Sequence, residues 1–303
     1  IYLPACLRQR QIFDIIMKRK ILVSISGGRT SALMAYLIKK QYGESCDLLF
    51  VFANTSREEE ETLVFLDKVD KYFGLGVVWV EAVTHFGVRK SCTSKVVTFE
   101  TATRDGSVFE NVIKKYGIPN QKFKHCTREL KSNPIKHYAF ANGFGKYGID
   151  YETAIGYRAD EQKRVNISKI EKDKHLYILN DLGIKKADVN FFWSKQPFDL
   201  NLADYEGNCI LCHKKSKRKL LTKIIEAPSI SEWHARMESE YGHVCPPNYK
   251  GNLPVKFFRE QDSIHDLIEE SKFPFTKAVD QSRDTSGYSE AVAFDLDMDF
   301  EEE

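Results

Sequence analysis

Apolar positions along the chain switch between two periods. Residues 21–25 (ILVSI) form a short β-branched run ending in Ser-Gly-Gly, and residues 30–42 behind it place Leu33, Met34, Leu37 and Ile38 at helical spacing. This pattern predicts strand, tight loop and helix. Residues 48–53 repeat the strand signature, residues 57–73 read as an amphipathic helix, and residues 77–83 predict a third strand. Strands alternating with helices imply an α/β fold built on a doubly wound parallel sheet. Residues 84–124 are polar and mixed and read as an insertion or a long active-site loop. A helix is expected over 127–142 and a further strand over 151–155. Beyond Gly156 the pattern turns helical, at 186–193, 214–225, 229–241 and 262–271, which predicts a helical C-terminal cap on the sheet.

The expected organisation is an N-terminal extension (1–20), a nucleotide-binding α/β domain (21–200), a helical, cysteine-containing region (201–279) and a flexible acidic tail (280–303). No internal repeat is evident. The chain has 303 residues, 42% of them apolar and 12% aromatic, enough for a full core. No apolar run approaches the roughly 20 residues of a membrane span, and residues 1–20 lack the pattern of a signal peptide. Seven cysteines without the spacing of a disulfide framework point to reduced or metal-bound thiols and a cytoplasmic setting.

Net charge is +2, but residues 280–303 carry nine acids against Arg283 alone, so the tail holds −8 and the remainder +10. A basic body suits phosphates, sulfonucleotides or nucleic acid. The run Lys214, Lys215, Lys217, Arg218 and Lys219 reads as a solvated helix face or a nucleic-acid contact. The tail alternates apolar and acidic residues from Phe294 to Phe300. It reads as a solubilising end, as a competitor for the anionic ligand, or as a docking segment for a protein partner.

Chemistry concentrates in Ser26-Gly27-Gly28-Arg29-Thr30-Ser31, between a predicted strand and a predicted helix. Glycines let backbone amides approach a phosphate, while the helix dipole and the hydroxyls add favourable charge and donors. No Gly-Lys-Ser/Thr follows at the Walker spacing. The segment resembles instead the PP-loop, Ser-Gly-Gly-x-Asp-Ser, of ATP pyrophosphatases, tRNA thiolation enzymes and sulfonucleotide reductases, with Thr30 in place of Asp. Asn54-Thr55 followed by Glu61-Thr62 is similar to the "NTG…ET" segment of the phosphoadenosine phosphosulfate reductase family. Gly156-Tyr157-Arg158 with Arg164 resembles its "G-x-R…E…R" segment, where guanidinium groups offer bidentate recognition of phosphate or sulfate. His125-Cys126-Thr127 through Lys131 resembles "C-T-x-x-x-K". Trp193 with Pro197-Phe198 resembles "W…PF", a packing segment.

Cys209-Ile210-Leu211-Cys212 is a C-x-x-C, a spacing that lets two thiolates converge on one ion or cluster. Cys126 lies 83 positions upstream of Cys209. Iron-sulfur adenosine phosphosulfate reductases carry a Cys-Cys pair at about that distance, and the four thiolates hold a [4Fe-4S] cluster; here the pair reads His125-Cys126. Three completions are open. Cys245 supplies the fourth thiolate, the cluster keeps three thiolates and an open iron, or a histidine such as His125 joins three thiolates around iron or zinc. Cys6, Cys46 and Cys92 read as buried or incidental thiols.

The resemblance thus implies an adenine nucleotide, ATP with Mg or a sulfonucleotide, bound by Ser26, Gly27, Gly28, Arg29, Thr30, Ser31, Asn54, Thr55, Gly156, Arg158 and Arg164. It implies chemistry at Cys126 and Arg158, and metal at Cys126, Cys209, Cys212 and Cys245. A homo-oligomer is expected. The Glu-Cys-Gly-x-His nucleophile segment of the reductases is absent, since no Cys follows Cys245. Three functions therefore stand side by side: sulfur transfer with nucleotide α-phosphate chemistry, sulfonucleotide reduction, and non-catalytic nucleotide sensing.

Overall fold

The computed structural model describes residues 18–207, 209–245, 249, 251–258 and 262–289. Its centre is a six-stranded sheet of order β4-β3-β2-β1-β5-β6. The strands are β1 (Arg19–Ile25), β2 (Cys46–Asn54), β3 (Val78–Val83), β4 (Thr93–Val97), β5 (Glu152–Ala154) and β6 (His175–Leu176). All neighbours are parallel except β3 and β4. The helices used below are α1 (Arg29–Tyr42), α2 (Glu60–Phe73), α3 (Ser107–Tyr116), α4 (Asn133–Ala141), α5 (Lys186–Ser194), α6 (Lys217–Glu226), α7 (Glu232–Tyr241) and α8 (Ile264–Ser271).

The middle of β1, residues 21–23, is apolar because helices cover both its faces. Ile21, Val23 and Ile25 point into one core with Leu33, Phe52, Phe65 and Trp193, while Leu22 joins Val51, Val80, Ile135 and Ala139 on the other side. Rings tie α1 and α2 to α5 on the first face: Tyr36 lies 5.4 Å from Phe192, and Phe65 lies 4.8 Å from Trp193. α4 covers the second face. This is the expected α/β sheet with helices on both sides.

Residues 84–124 differ from the expected loop. They supply β4 and α3, and Cys92, Val108, Phe109, Val112 and Ile113 form one core with Leu220, Trp233, Met237, Phe257 and Ile264. The inserted segment and the C-terminal helices therefore fold as one layer. Glu110 on α3 bonds to Arg236 on α7 at 2.9 Å and to the Tyr241 hydroxyl at 2.9 Å. The helix expected over 127–142 is interrupted by a π turn at Arg128–Ser132 before α4 begins. β6 has only two residues, too few to leave a pattern in the sequence.

The acidic stretch from 280 is, as far as Ser289, strapped to the body. The Ala278 amide donates to Thr222 Oγ1 at 2.9 Å, and Asn190 Nδ2 donates to the Gln281 and Asp284 carbonyls at 3.2 and 2.7 Å. Tyr288 stacks on Phe191 at 4.1 Å, and the Ser289 amide reaches Asp188 Oδ1 at 2.6 Å. The charge pattern sets a compositional boundary there, and packing continues across it. The rest of the acidic segment, Cys6 and most of the N-terminal extension lie outside the described residues. No helix among the described residues is long and apolar enough to cross a membrane.

Candidate functional site

Strand order reverses direction at β1, which is flanked by β2 on one side and β5 on the other. Open α/β sheets bind ligands in the crevice outside the carboxyl ends of the strands at such a point. The loops leaving β1 and β5 are Ser26–Gly28 and the segment at Gly156-Tyr157-Arg158, so the fold brings these two sequence-marked segments together. An added Cβ on Gly156 would stand 3.4 Å from the Ser31 Cα, and Arg158 Nη1 donates to Thr30 Oγ1 at 3.2 Å.

Inside the first loop, Ser31 acts as its fastener. Its hydroxyl accepts from the Ser26 amide at 3.1 Å, lies 3.0 Å from Ser26 Oγ and donates to the Gly28 carbonyl at 2.9 Å. Gly27 sits at φ +79, and a Cβ there would lie 2.5 Å from Thr62 Cγ2. Gly28 caps α1 in extended conformation, with no side-chain cap and no acid in the first turn. The first amides of α1 are therefore not paired with a capping side chain or an acid of their own turn.

Arg29 points away from that crevice. Its guanidinium grips Asp199 through Nε–Oδ1 at 2.6 Å and Nη2–Oδ2 at 2.8 Å, while Trp193 Nε1 donates to the Arg29 carbonyl at 3.0 Å. The Trp193 to Asp199 segment therefore fixes the loop from behind. Arg29→Met is expected to lower stability by about 2 kcal/mol, because Asp199 loses a bidentate, mostly buried partner; urea denaturation measures it.

Arg158 pairs with Asp160 at 2.9 Å and Glu161 at 3.5 Å, and Arg164 bonds to Glu161 and lies 4.3 Å from the Tyr157 ring centre. Asn54 is fully buried and locked: Nδ2 donates to Glu81 Oε1 at 2.7 Å and to the Thr103 carbonyl at 2.8 Å, and Oδ1 accepts from the Ser56 amide at 3.1 Å. These bonds hold it inside the end of β2. Thr55 belongs to the thiol pocket.

That pocket lies at the carboxyl end of β2, one strand from the Ser26–Gly28 loop. The C-x-x-C is sewn on there by the Ile210 amide donating to the Arg57 carbonyl at 2.7 Å and by a bridge between Glu58 and Cys209. Glu58 Oε2 accepts from the Thr55 amide at 2.9 Å and hydroxyl at 2.7 Å, and its Oε1 lies 3.7 Å from Cys209 Sγ and 3.5 Å from Lys131 Nζ. Burial and the Glu58 charge push the Cys209 thiol up to about 12. Lys131 is held above its ordinary value, as Cys209 and Glu58 outweigh burial.

Cys126 and Cys209 both lie near Cys212, so three thiols from two distant segments share one region. Cys245 is exposed, with its Cα beside Gly117. Among the described residues no three His, Cys, Asp or Glu side chains are gathered into a ready cage. A histidine adjoins Cys126 and another adjoins Cys212 in the sequence. His125 and His213 are each 4% exposed, and neither ring nitrogen of His125 nor Nε2 of His213 has a hydrogen-bond partner. Glu58 and His213 carried no sequence signal: one sits in an acidic run and the other beside a lysine run.

These features define an α/β protein with a glycine-rich loop at the switch point of its sheet and a thiol pocket next to it. The chain belongs to the family of the uncharacterized nin region protein ORF290 of Escherichia phage lambda, with 34% identity over 201 residues, 65% of this chain and 67% of that protein. It is also 24% identical over 161 residues to the uncharacterized protein MJ0066 of Methanocaldococcus jannaschii, covering 53% of this chain and 27% of that protein. No family model matches the chain.

Proposed function

We propose that this chain is a nucleotide-binding enzyme of the PP-loop class, similar to the phosphoadenosine phosphosulfate reductase family, which takes ATP or a sulfonucleotide and carries sulfur-transfer or α-phosphate chemistry. The observation that carries this reading is the meeting of two loops at the switch point, with an uncapped α1 N-terminus on one and Arg158 on the other. In this reading the α1 amides hold the phosphates and the Arg158 guanidinium neutralises charge that develops on them. With Thr30 where the PP-loop has Asp, a Mg ion would rely on the nucleotide's own oxygens.

An iron-sulfur cluster belongs to the same proposal. In this reading Cys126, Cys209 and Cys212 would hold it, with the exposed Cys245 as the candidate fourth thiolate, although among the described residues these side chains do not form a metal-holding group. Such a centre would supply sulfur or electrons beside the nucleotide. Lys131 and Lys214 keep the pocket cationic, with Lys214 Nζ donating to Thr127 Oγ1 at 2.8 Å. A reducing, cytoplasmic setting belongs to the same proposal.

Product analysis tests the reaction. Anaerobic incubation with ATP and candidate acceptors is expected to release pyrophosphate. Sulfite release from a sulfonucleotide would move the assignment to the reductases, and saturable binding without turnover would leave a nucleotide sensor.

A further inference from the structure

We propose that the surface around Cys126, at the carboxyl end of the sheet, binds a single-stranded polynucleotide. Its role as the seat of the acceptor rests on the sulfur-transfer reading above, while the binding itself rests on charge and exposure.

The chain holds 45 basic and 43 acidic residues, yet three segments carry bases and no acid. They are residues 82–99 with three bases, 111–128 with five and 207–225 with six. The fold draws the three together. Residues 84–92 join β3 to β4 at the edge where β1 and β2 also end, because β3 runs parallel to both. At the end of α3, Lys115 Nζ and the Tyr116 hydroxyl donate to the Lys90 carbonyl, the hydroxyl at 3.1 Å. The Tyr116 ring lies 5.6 Å from the His125 ring. From there Gln121 Nε2 donates to the His213 carbonyl at 3.3 Å, and Lys214 Nζ to Thr127 Oγ1 at 2.8 Å. One surface therefore runs from the β3–β4 loop across Cys126 to the C-x-x-C segment.

Part of its positive charge is committed within the fold. Lys114, Lys217 and Lys223 pair with carboxylates, and Lys115 and Lys215 hold backbone carbonyls. Arg89, Lys90, Lys124 and Lys214 are exposed. Lys124 and Lys214 both act on the His213 ring, which places their charges near one another. Glu129, the acid next to Cys126 in the sequence, is 2% exposed and bonded to Arg128, Asn133 and the Cys92 amide. A surface with this charge suits a row of phosphates, whose condensed counterions are released on binding. Phe86 and Val88 are 60% and 88% exposed in the same loop as Arg89 and Lys90. An exposed ring among bases offers a stacking platform to an unpaired nucleobase, and neither a duplex nor an acidic peptide presents a free base face to it.

Fluorescence anisotropy of the full chain with labelled DNA and RNA single strands of about 20 nucleotides tests this, with a duplex and poly-glutamate as competitors. Saturable binding is expected, with a log–log salt slope of about −3, the value for four phosphate contacts on a single strand. Arg89→Glu, Lys124→Glu and Lys214→Glu should each weaken binding about threefold or more and make the slope shallower. Phe86→Ala should weaken it about fivefold or more and leave the slope unchanged. Lys39→Glu makes the same charge change on the exposed last turn of α1, at the opposite edge of the sheet, and should bind as wild type does. Circular dichroism checks that each variant folds. A preference between DNA and RNA supports the inference and names the polymer. It is overturned by absence of binding at low salt, by a loss in Lys39→Glu equal to that at the other three sites, or by a duplex or poly-glutamate competing as well as the single strand. Each of these results leaves nucleotide titration at the Ser26–Gly28 loop unchanged, so the proposed function is judged separately.

Discussion

Gly28→Val is expected to leave the fold intact and to weaken nucleotide binding by about 100-fold or more, roughly 2.7 kcal/mol. Gly28 sits at φ −98, ψ 160, an extended conformation that valine adopts, and an added Cβ would find only Ser26 Oγ at 3.9 Å. The protein itself therefore tolerates the side chain. A phosphate drawn against the α1 amides would not, because the new methyl groups occupy the approach to those amides. The neighbouring glycine makes the contrast. Gly27 is left-handed and faces Thr62 Cγ2 at 2.5 Å, so Gly27→Ala mixes a folding defect with any binding defect. Equilibrium titration of folded Gly28→Val separates the two effects. Affinity equal to wild type would mean the loop does not hold phosphate.

Glu58→Ala is expected to be the most destabilising change at the thiol pocket, at about 3 kcal/mol. The Glu58 side chain is 1% exposed and satisfies the Thr55 amide and hydroxyl while facing Lys131. Its removal strands a buried amide and leaves Lys131 without its carboxylate. The Cys209 thiol would also lose the nearby negative charge that helps raise it. Thiolate formation there should become easier, in step with the loss of stability. Urea denaturation measures the first effect, and the rate of Cys209 alkylation against pH measures the second. A shift below about 0.5 kcal/mol would show that Glu58 is not the joint between β2 and the C-x-x-C segment.

The parts of the fold legible in the sequence were those with a one-to-one link between pattern and burial. β1 and β2 contain apolar runs because helices cover both faces, and α1 shows its buried Leu33, Met34, Leu37 and Ile38 at helical spacing. β4 escaped detection because Ser94, Lys95 and Val96 belong to a partly exposed edge strand, and β6 is too short for any period. The shared core of the inserted segment and the C-terminal helices could not be read locally, since Phe109 meets Trp233 only through the fold, at 5.5 Å.

The candidate site divides in the same way. Glycines announce the loop because backbone conformation demands them, and the cysteines announce themselves by type. Arg29 and Asn54 share those motifs, yet their partners Asp199 and Glu81 give them structural duties. Glu58 and His213 acquire meaning only from what lies beside them.

In the proposed function the two loops at the switch point hold an adenine nucleotide. Calorimetric titration of the wild-type chain with ATP and, separately, with adenosine phosphosulfate tests it most directly. Saturable one-to-one binding of at least one of them is expected in the micromolar range, about −8 kcal/mol, with its loss in Gly28→Val. Failure of the folded wild-type chain to bind either nucleotide, or binding that Gly28→Val leaves unchanged, would contradict it.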